Sequence, residues 1–201
     1  MARELIHIPG AAGADEAGRG PLAGPVVAAA VVLPEGFDIR GIDDSKKLDA
    51  HQRETLADRI KESAAWWIER SEPAEIDRIN ILWASMAAME RALFHLNPTP
   101  DHAFIDGNRL PKRLPCSGEW VIKGDGKYAC IAAASILAKV ERDHIMVAYA
   151  ESYPEYGFDR HFGYPTPEHF LAIEKHGPCP IHRRSFAPIR NYEQPCLTFE
   201  E

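Results

Sequence analysis

The chain has 201 residues, enough for one large domain that can bury roughly 70% of the surface exposed by the unfolded chain. An apolar content of 45%, no apolar run long enough to cross a bilayer and no signal peptide argue against membrane-spanning and exported classes and predict a cytoplasmic protein. The net charge of -7 argues against a nucleic-acid partner, because phosphate binding usually leaves a basic footprint. Local basic clusters weaken that objection, although each alone is typical of solvated surface. They are Lys46 with Lys47, Arg109 with Lys112 and Arg113, and Arg183 with Arg184 and Arg190.

Strands and helices alternate along the chain, which predicts an α/β protein. Short apolar runs bounded by Gly and Pro predict strands, and apolar residues that recur every three or four positions predict helices. Gly177 stands just past the last helix, where glycine commonly ends helices. The predicted strands lie near residue 14 and at residues 21–33, 66–68, 103–105 and 119–122; the predicted helices span residues 48–64, 76–96, 128–149 and 165–176.

The four cysteines form no Cys-x-x-Cys pair, which favours reduced thiols in a cytoplasmic protein. No helical His-Glu-x-x-His motif and no cysteine cage point to zinc. Any metal site would therefore be built from carboxylates. The cysteines are Cys116, Cys130, Cys179 and Cys196.

Two adjacent acids, Asp15 and Glu16, precede a Gly18-Arg19-Gly20 segment. Neighbouring side chains on a regular strand point to opposite faces, so we expect the backbone to leave regular geometry if both acids serve one site. The two glycines permit such a departure and a close approach to a ligand. When the pair is taken alone, the pattern favours an ordinary turn over a functional site.

Further acids stand at the ends of predicted elements. Asp106 ends a short apolar strand before Gly107, a position where ligand sites form in α/β sheets, although a turn-forming aspartate is the alternative. Asp125 lies just before the long helix, and a turn-forming residue is again the alternative. For Asp143, inside that helix, we favour a surface or ion-pair role because Lys139 and Arg142 are near.

Clustered carboxylates repel one another, so such a cluster makes chemical sense when cations occupy it. Oxygen ligands predict a hard ion, Mg²⁺ or Mn²⁺, that keeps waters and takes further ligands from a substrate phosphate. Two such ions can activate a water and stabilise the leaving oxygen of a phosphodiester.

An ordered set of motifs resembles the bacterial ribonuclease HII family, the type 2 ribonucleases H. Each motif is weak alone, but together they follow the family's order over roughly residues 13–190. The matching segments are residues 13–26 (GADEAGRGPLAGPV), 44–48 (DSKKL), 79–82 (INIL), 105–108 (IDGN), 123–125 (KGD), 132–143 (AAASILAKVERD), 156–158 (YGF), 163–166 (GYPT) and 182–186 (HRRSF).

The resemblance implies an RNase H-like fold, a mixed five-stranded sheet flanked by helices with a small C-terminal helical appendage. It divides the chain into a catalytic domain at residues 1–150 and a helical part packed on it at 151–190. Residues 191–201 show no periodicity, which predicts a flexible tail. The resemblance also implies cleavage of the RNA strand of RNA–DNA hybrids and incision 5′ of a ribonucleotide embedded in duplex DNA, giving 3′-hydroxyl and 5′-phosphate ends.

The same resemblance assigns roles to individual residues. Gly18, Arg19 and Gly20 would sense the 2′-hydroxyl that separates RNA from DNA, and Tyr164 would stack near the sugar at the RNA–DNA junction. The catalytic metal ligands would be Asp15, Glu16, Asp106 and Asp125, and the phosphate or backbone contacts Ser45, Lys46, Arg184 and Ser185.

One position departs from the pattern, since many relatives have Lys where this chain has Phe162. That puts one basic contact near Tyr164 in doubt, but not the activity. For His161 and His169 the sequence indicates no more than an ordinary surface role.

Two other functions stay open at this point. A ribonuclease H that needs several consecutive ribonucleotides is one; the Gly18-Arg19-Gly20 segment and Tyr164 argue against it. A non-catalytic binding module on the same fold would be expected to have lost at least one of the four acids, and all four are present.

The C-terminal residues 194–199 (QPCLTF) resemble a short sliding-clamp-binding peptide, with Gln194, Leu197 and Phe199 as its anchors. A disordered acidic end is the alternative. We expect a monomer.

Overall fold

The computed structural model describes residues 5–43 and 45–193. They form a five-stranded sheet with strand order β3-β2-β1-β4-β5, flanked by helices. The strands are β1 (Ala12–Ala17), β2 (Val26–Val32), β3 (Ala65–Ser71), β4 (His102–Asp106) and β5 (Ser117–Val121). The helices are α1 (Ala50–Ser63), α2 (Pro73–Phe94), α3 (Ala129–Ser152), α4 (Phe158–His161), α5 (Pro167–His176) and α6 (Ala187–Glu193).

The sheet is mixed, as expected. Strand β1 pairs antiparallel with β2 and parallel with β4, while β2–β3 is antiparallel and β4–β5 is parallel. The parallel β1–β4 pair brings the carboxyl ends of two strands that carry acids to the same edge of the sheet.

Strand β2 is buried on both faces, which explains its nearly uninterrupted apolar sequence. Val27, Ala29 and Val31 pack against α3 and α1, whereas Ala28 and Ala30 pack against α2. The core therefore consists of two apolar layers, one on each side of the sheet.

Helix α3 approaches β1 closely because small residues face each other across the contact. A Cβ built on Gly13 would lie 2.2 Å from the backbone carbonyl carbon of Cys130, so no side chain fits there. This contact seats the acid-bearing strand on the central helix of the core.

Helix α2 differs from its prediction as one continuous element over residues 76–96. It begins earlier, with Pro73 in its first turn, and its backbone is not helical at Asn80, where φ is 64° and ψ is 163°. The Asn80 side chain accepts hydrogen bonds from the N–H groups of Leu82 and Trp83, so it starts a new helical segment as a capping residue does. Apolar periodicity continues through the break and therefore gives no sign of it.

The last helices form a further apolar cluster around Tyr156, Phe158 and Ile189. Leu22 and Met146 from the earlier part of the chain belong to the same cluster, so the C-terminal part is packed directly on the rest. Helix α6 reaches Glu193, and the first three residues of the predicted tail are therefore helical. Residues 194–201, with the clamp-like segment, lie outside the described residues.

The cysteines and the helix lengths bear on two predictions from the sequence, reduced thiols and no membrane span. Cys116, Cys130 and Cys179 form no disulfide, while Cys196 lies outside the described residues. Burial raises the pKa of the Cys130 thiol to about 12. Among the described residues, no helix is both long enough and apolar enough for a membrane span.

Candidate active site

Four acids meet in one pocket of about 240 Å³ at the carboxyl ends of β1 and β4. Asp15 and Glu16 lie on β1, and Asp106 is the last residue of β4. Asp125 lies in a 3-10 turn, Gly124–Gly126, just before α3. The structure thus brings together all four acids selected from the sequence.

The adjacent acids reach this pocket without the backbone distortion that we expected. Asp15 pairs with Ala29 and Glu16 with Ala28 in an unbroken antiparallel ladder, so that expectation was wrong. On the other side of β1, the pairing with β4 stops at Ala14, which leaves that edge open beside both acids.

Hydrogen bonds fix the acidic side chains. Asp106 Oδ1 accepts from the N–H of Gly124 at 2.6 Å, which ties the end of β4 to the 3-10 turn. Asp15 Oδ1 accepts from the N–H of Glu16 at 2.7 Å, and Glu16 Oε1 accepts from Arg19 Nη1 at 3.3 Å. Several carboxylate oxygens are thus held in place by protein donors.

Burial and mutual repulsion disfavour negative charge in this pocket. The pKa of Asp15 is raised well above its usual range by desolvation first, and then by the charges of Glu16 and Asp106. Desolvation also raises the pKa of Glu16, although Arg19 opposes it. Added positive charge would therefore stabilise the ionised acids.

The carboxylates do not form a closed cation cage. Among the described residues, no three His, Cys, Asp or Glu side chains are arranged to hold a metal ion by themselves. A hard cation here would have to take its remaining ligands from water or a substrate, as Mg²⁺ commonly does.

Next to the acids, the Gly18-Arg19-Gly20 segment and Tyr164 form another wall of the same pocket. Gly18 has a φ of +96°, and a Cβ there would lie 2.1 Å from Arg142 Nε, so the position requires glycine. A Cβ on Gly20 would be 3.6 Å from Tyr164 Cε1, which places the half-exposed tyrosine ring over the loop.

The third wall comes from Ser45 and Lys46 together with two residues that sequence reasoning missed, Ser135 and Lys139. The hydroxyl of Ser45 is buried and lies 3.0 Å from that of Ser135, so helix α3 engages it. Lys139 forms an ion pair with Asp143 at 2.6 Å, which confirms the ion-pair role expected for Asp143. The four-residue spacing of Ser135 and Lys139 on one helix face is the signal that could have identified them.

Arg184 and Ser185 do not line this pocket, and their contacts to the nucleic-acid backbone stay a prediction. Their backbone N–H groups donate to the carboxylate of Asp77 at 3.0 and 2.8 Å, and the Ser185 hydroxyl donates to it as well. These bonds attach the C-terminal part to α2.

Arg183 was expected to belong to a solvated basic cluster, and this expectation was wrong. Its side chain is fully buried and donates to backbone carbonyls of residues 18–25. A run of arginines in sequence does not reveal which member turns inward.

His161 and His169 are buried, so their assignment to the surface was wrong. His169 Nδ1 lies 2.9 Å from the carbonyl oxygen of Tyr164, and its Nε2 lies 3.0 Å from His182 Nε2. Since a carbonyl only accepts, His169 donates to it from Nδ1 and accepts from His182 at Nε2. His182 Nδ1 then accepts from the N–H of Cys179 at 2.9 Å, so two neutral rings satisfy these three hydrogen bonds and support the Tyr164 backbone.

Acid should weaken this histidine pair. Burial lowers the pKa of both His169 and His182 to about 4, below the unfolded value of about 6.5. Their contribution to stability is therefore complete above pH 6.5 and is lost as pH falls toward 4. Protonation of the first of these rings should lower the free energy of unfolding at pH 5 by about 2 kcal/mol relative to pH 7.

Urea denaturation of the wild type and of His169→Gln at both pH values measures this effect, because contributions from the carboxylates cancel in the difference. His144→Gln, which changes an exposed histidine, is the control. An identical pH dependence in wild type and His169→Gln would contradict the prediction.

The chain is similar to proteins of one family over most of its length. A profile of the family described as Ribonuclease HII matches residues 12–189. Ribonuclease HII of Idiomarina loihiensis is 55% identical over 179 residues, which cover 89% of this chain and 95% of that protein.

Solved structures agree with the sequence match. Ribonuclease H2 from Pyrococcus horikoshii OT3 superposes with a TM-score of 0.76 at 31% identity, covering 91% of this chain and 96% of that one. Ribonuclease HII from Archaeoglobus fulgidus, solved as a complex with PCNA, superposes with a TM-score of 0.71 at 27% identity, covering 93% and 98%.

These matches extend over nearly the whole chain and over nearly the whole of each relative. They include the strands that carry the acids, the loop beside them and the C-terminal part with Tyr164. The chain belongs to the ribonuclease HII family and is a ribonuclease H, an endoribonuclease.

Proposed function

We propose that this ribonuclease H cleaves the RNA strand of RNA–DNA hybrids and also incises 5′ of single ribonucleotides embedded in duplex DNA. The products would carry a 3′-hydroxyl and a 5′-phosphate. The observation that carries the proposal is the shared pocket, where four acids face the Gly18-Arg19-Gly20 segment and Tyr164. The wall with the acids suits phosphodiester hydrolysis, and the wall with the Gly18-Arg19-Gly20 segment and Tyr164 suits discrimination between ribose and deoxyribose.

Asp15, Glu16, Asp106 and Asp125 are proposed to hold Mg²⁺ or Mn²⁺. The donor set fits such an ion, because it is all oxygen and because burial, together with the neighbouring charges of Glu16 and Asp106, raises the pKa of Asp15, so that a bound cation would favour its ionised form. Divalent metal supplies an activated water and stabilises the leaving oxygen. An open arrangement of carboxylates is what an ion shared with a substrate phosphate requires.

The chain's own groups would orient the nucleic acid. Lys46 and Lys139 border the pocket and would contact phosphates, which set register without reading sequence. Backbone groups of Gly18, Arg19 and Gly20 would contact the 2′-hydroxyl, and Tyr164 would stack against the sugar at the junction.

The position of the cut and its ends can be tested together. A duplex with one ribonucleotide, labelled at the 5′ end of that strand, should yield a fragment that a DNA polymerase extends without phosphatase treatment. A fragment that needs phosphatase first, or one that retains the ribonucleotide, would contradict the proposed end chemistry or cut position.

Tyr164→Ala should reduce nicking at a single ribonucleotide by about tenfold or more, because stacking of this kind contributes about 1–3 kcal/mol. Cleavage of a strand with four consecutive ribonucleotides should fall less, since neighbouring registers can be used. Tyr192→Ala, another exposed tyrosine, is the control. Equal losses on both substrates would favour an enzyme that recognises a run of ribonucleotides.

We further propose a functional division of the chain. Residues 1–150 would form the catalytic domain with the acids, and residues 151–190 would form a part that places Tyr164 over it. The protein would act as a monomer.

We also propose that residues 194–199 (QPCLTF) bind a sliding clamp. Support comes from the sequence pattern and from the Archaeoglobus fulgidus relative, which was solved with PCNA. A pull-down with the cognate clamp should lose the full chain's signal when residues 194–201 are deleted. Unchanged capture would exclude this segment as the contact.

A further inference from the structure

Arg183 is a buried cation beneath the loop that borders the candidate active site. It has no measurable exposure, and its guanidinium makes four hydrogen bonds, all to backbone carbonyl oxygens. Nη2 donates to Gly18 at 2.6 Å and to Pro25 at 3.1 Å, Nη1 donates to Arg19 at 3.1 Å, and Nε donates to Gly24 at 2.9 Å.

These bonds fix the direction of two consecutive peptide groups. In a planar trans peptide the C=O of one residue and the N–H of the next point in opposite directions. Because Arg183 holds the carbonyls of Gly18 and Arg19 on its own side, the N–H groups of Arg19 and Gly20 point the other way. Gly18, Arg19 and Gly20 line the pocket together with the acids and Tyr164, whereas Arg183 does not line it, and this places the N–H groups on the pocket side of the loop.

A second arginine holds the same segment. Arg142 Nε also donates to the carbonyl of Pro25, at 3.1 Å, and the Arg142 side chain occupies the space that a Cβ on Gly18 would need. Desolvation lowers the pKa of Arg183 to about 9, and the charge of Arg142 adds to this effect. Two buried like charges are unfavourable for folding, so their placement under this loop points to a role beyond stability.

We infer that Arg183 is a positioning residue for ribonucleotide recognition: it presents the N–H groups of Arg19 and Gly20 to the 2′-hydroxyl and the adjacent phosphate oxygen. This inference rests on the proposed function and deepens it. Only a planar guanidinium with several donors can hold these carbonyls at once, and a lysine ammonium at the same place lacks that fork.

The test uses the full-length chain with Arg183→Lys, and Arg91→Lys as the matched control. Arg91 also donates to a backbone carbonyl, that of Arg70, but it lies outside the pocket. We expect Arg183→Lys to raise KM for a duplex with one ribonucleotide by at least about tenfold, the effect of losing charge-assisted hydrogen bonds. Mn²⁺ affinity in the absence of nucleic acid should stay within twofold of wild type, and kcat should change less than KM.

Several results would overturn the inference. An unchanged KM in a folded Arg183→Lys protein would do so. A loss of Mn²⁺ affinity as large as the rise in KM would also do so, because the arginine would then affect the metal site as well as the loop. If wild type itself failed to distinguish a single ribonucleotide from DNA, the proposed function would be wrong, and the role of Arg183 in ribonucleotide recognition would be wrong with it.

A measurement on wild type covers the case in which Arg183→Lys does not fold. In metal-free buffer with EDTA, the backbone N–H resonances of Arg19 and Gly20 should shift when a duplex with one ribonucleotide is added. The matched all-DNA duplex should shift them clearly less. Equal shifts with both duplexes, or none with either, would contradict the inference.

Discussion

Asp106→Asn is expected to abolish cleavage while leaving the fold intact. The asparagine keeps an oxygen that can accept the N–H of Gly124, so the link between β4 and the 3-10 turn survives. The negative charge that would help to hold a divalent cation is lost. The rate should fall by at least about a thousandfold, which corresponds to about 4 kcal/mol of transition-state stabilisation.

Single-turnover cleavage of a ribonucleotide-containing duplex, with circular dichroism and thermal unfolding of the same sample, measures both parts of this prediction. Asp159→Asn removes an exposed carboxylate outside the pocket and should retain full activity. Full activity in Asp106→Asn would remove Asp106 from the mechanism.

Gly13→Ala should have the largest effect on stability. The new Cβ would lie 2.2 Å from the backbone of Cys130, and neither β1 nor α3 can yield by moving a flexible side chain. Overpacking against backbone should cost about 3 kcal/mol, which lowers Tm by roughly 6–12 °C in a domain of this size. Since β1 carries Asp15 and Glu16, any displacement would reach the acids.

Gly126→Ala is the matched control for stability, because a Cβ there would meet no atom within 4 Å. Thermal unfolding of the two variants beside wild type separates the effect of the clash from the general effect of replacing glycine. A Tm for Gly13→Ala within 2 °C of wild type would contradict the prediction, because β1 and α3 would then move apart at little cost in free energy.

Local patterns in the sequence singled out the acids and predicted the order of the five strands and the longer helices, but only the family resemblance joined the four acids into one site. Asp106 stands at the end of an apolar run, and strand ends are where α/β sheets form sites. The alternation of strands and helices predicted the class, and the family resemblance predicted the mixed sheet. Element ends shifted by a few residues, as at α2, because capping and packing decide them.

What the sequence could not show depends on contacts between distant residues. Arg183 meets the carbonyl of Gly18 across 165 positions, and no local pattern separates it from its exposed neighbour Arg184. His169 and His182 become buried only because the C-terminal part folds over itself. Such polar residues look like surface residues in the sequence, because the groups that bind them in the interior lie far away along the chain.

We propose that one pocket both cleaves the strand and selects the sugar. The most direct test of this proposal is a pair of labelled duplexes that differ in one 2′-hydroxyl, incubated with the protein and with Mg²⁺ or Mn²⁺. We expect one nick, 5′ of the ribonucleotide, that requires the metal, and an intact all-DNA duplex. Equal cutting of both duplexes, or cutting without divalent metal, would contradict it.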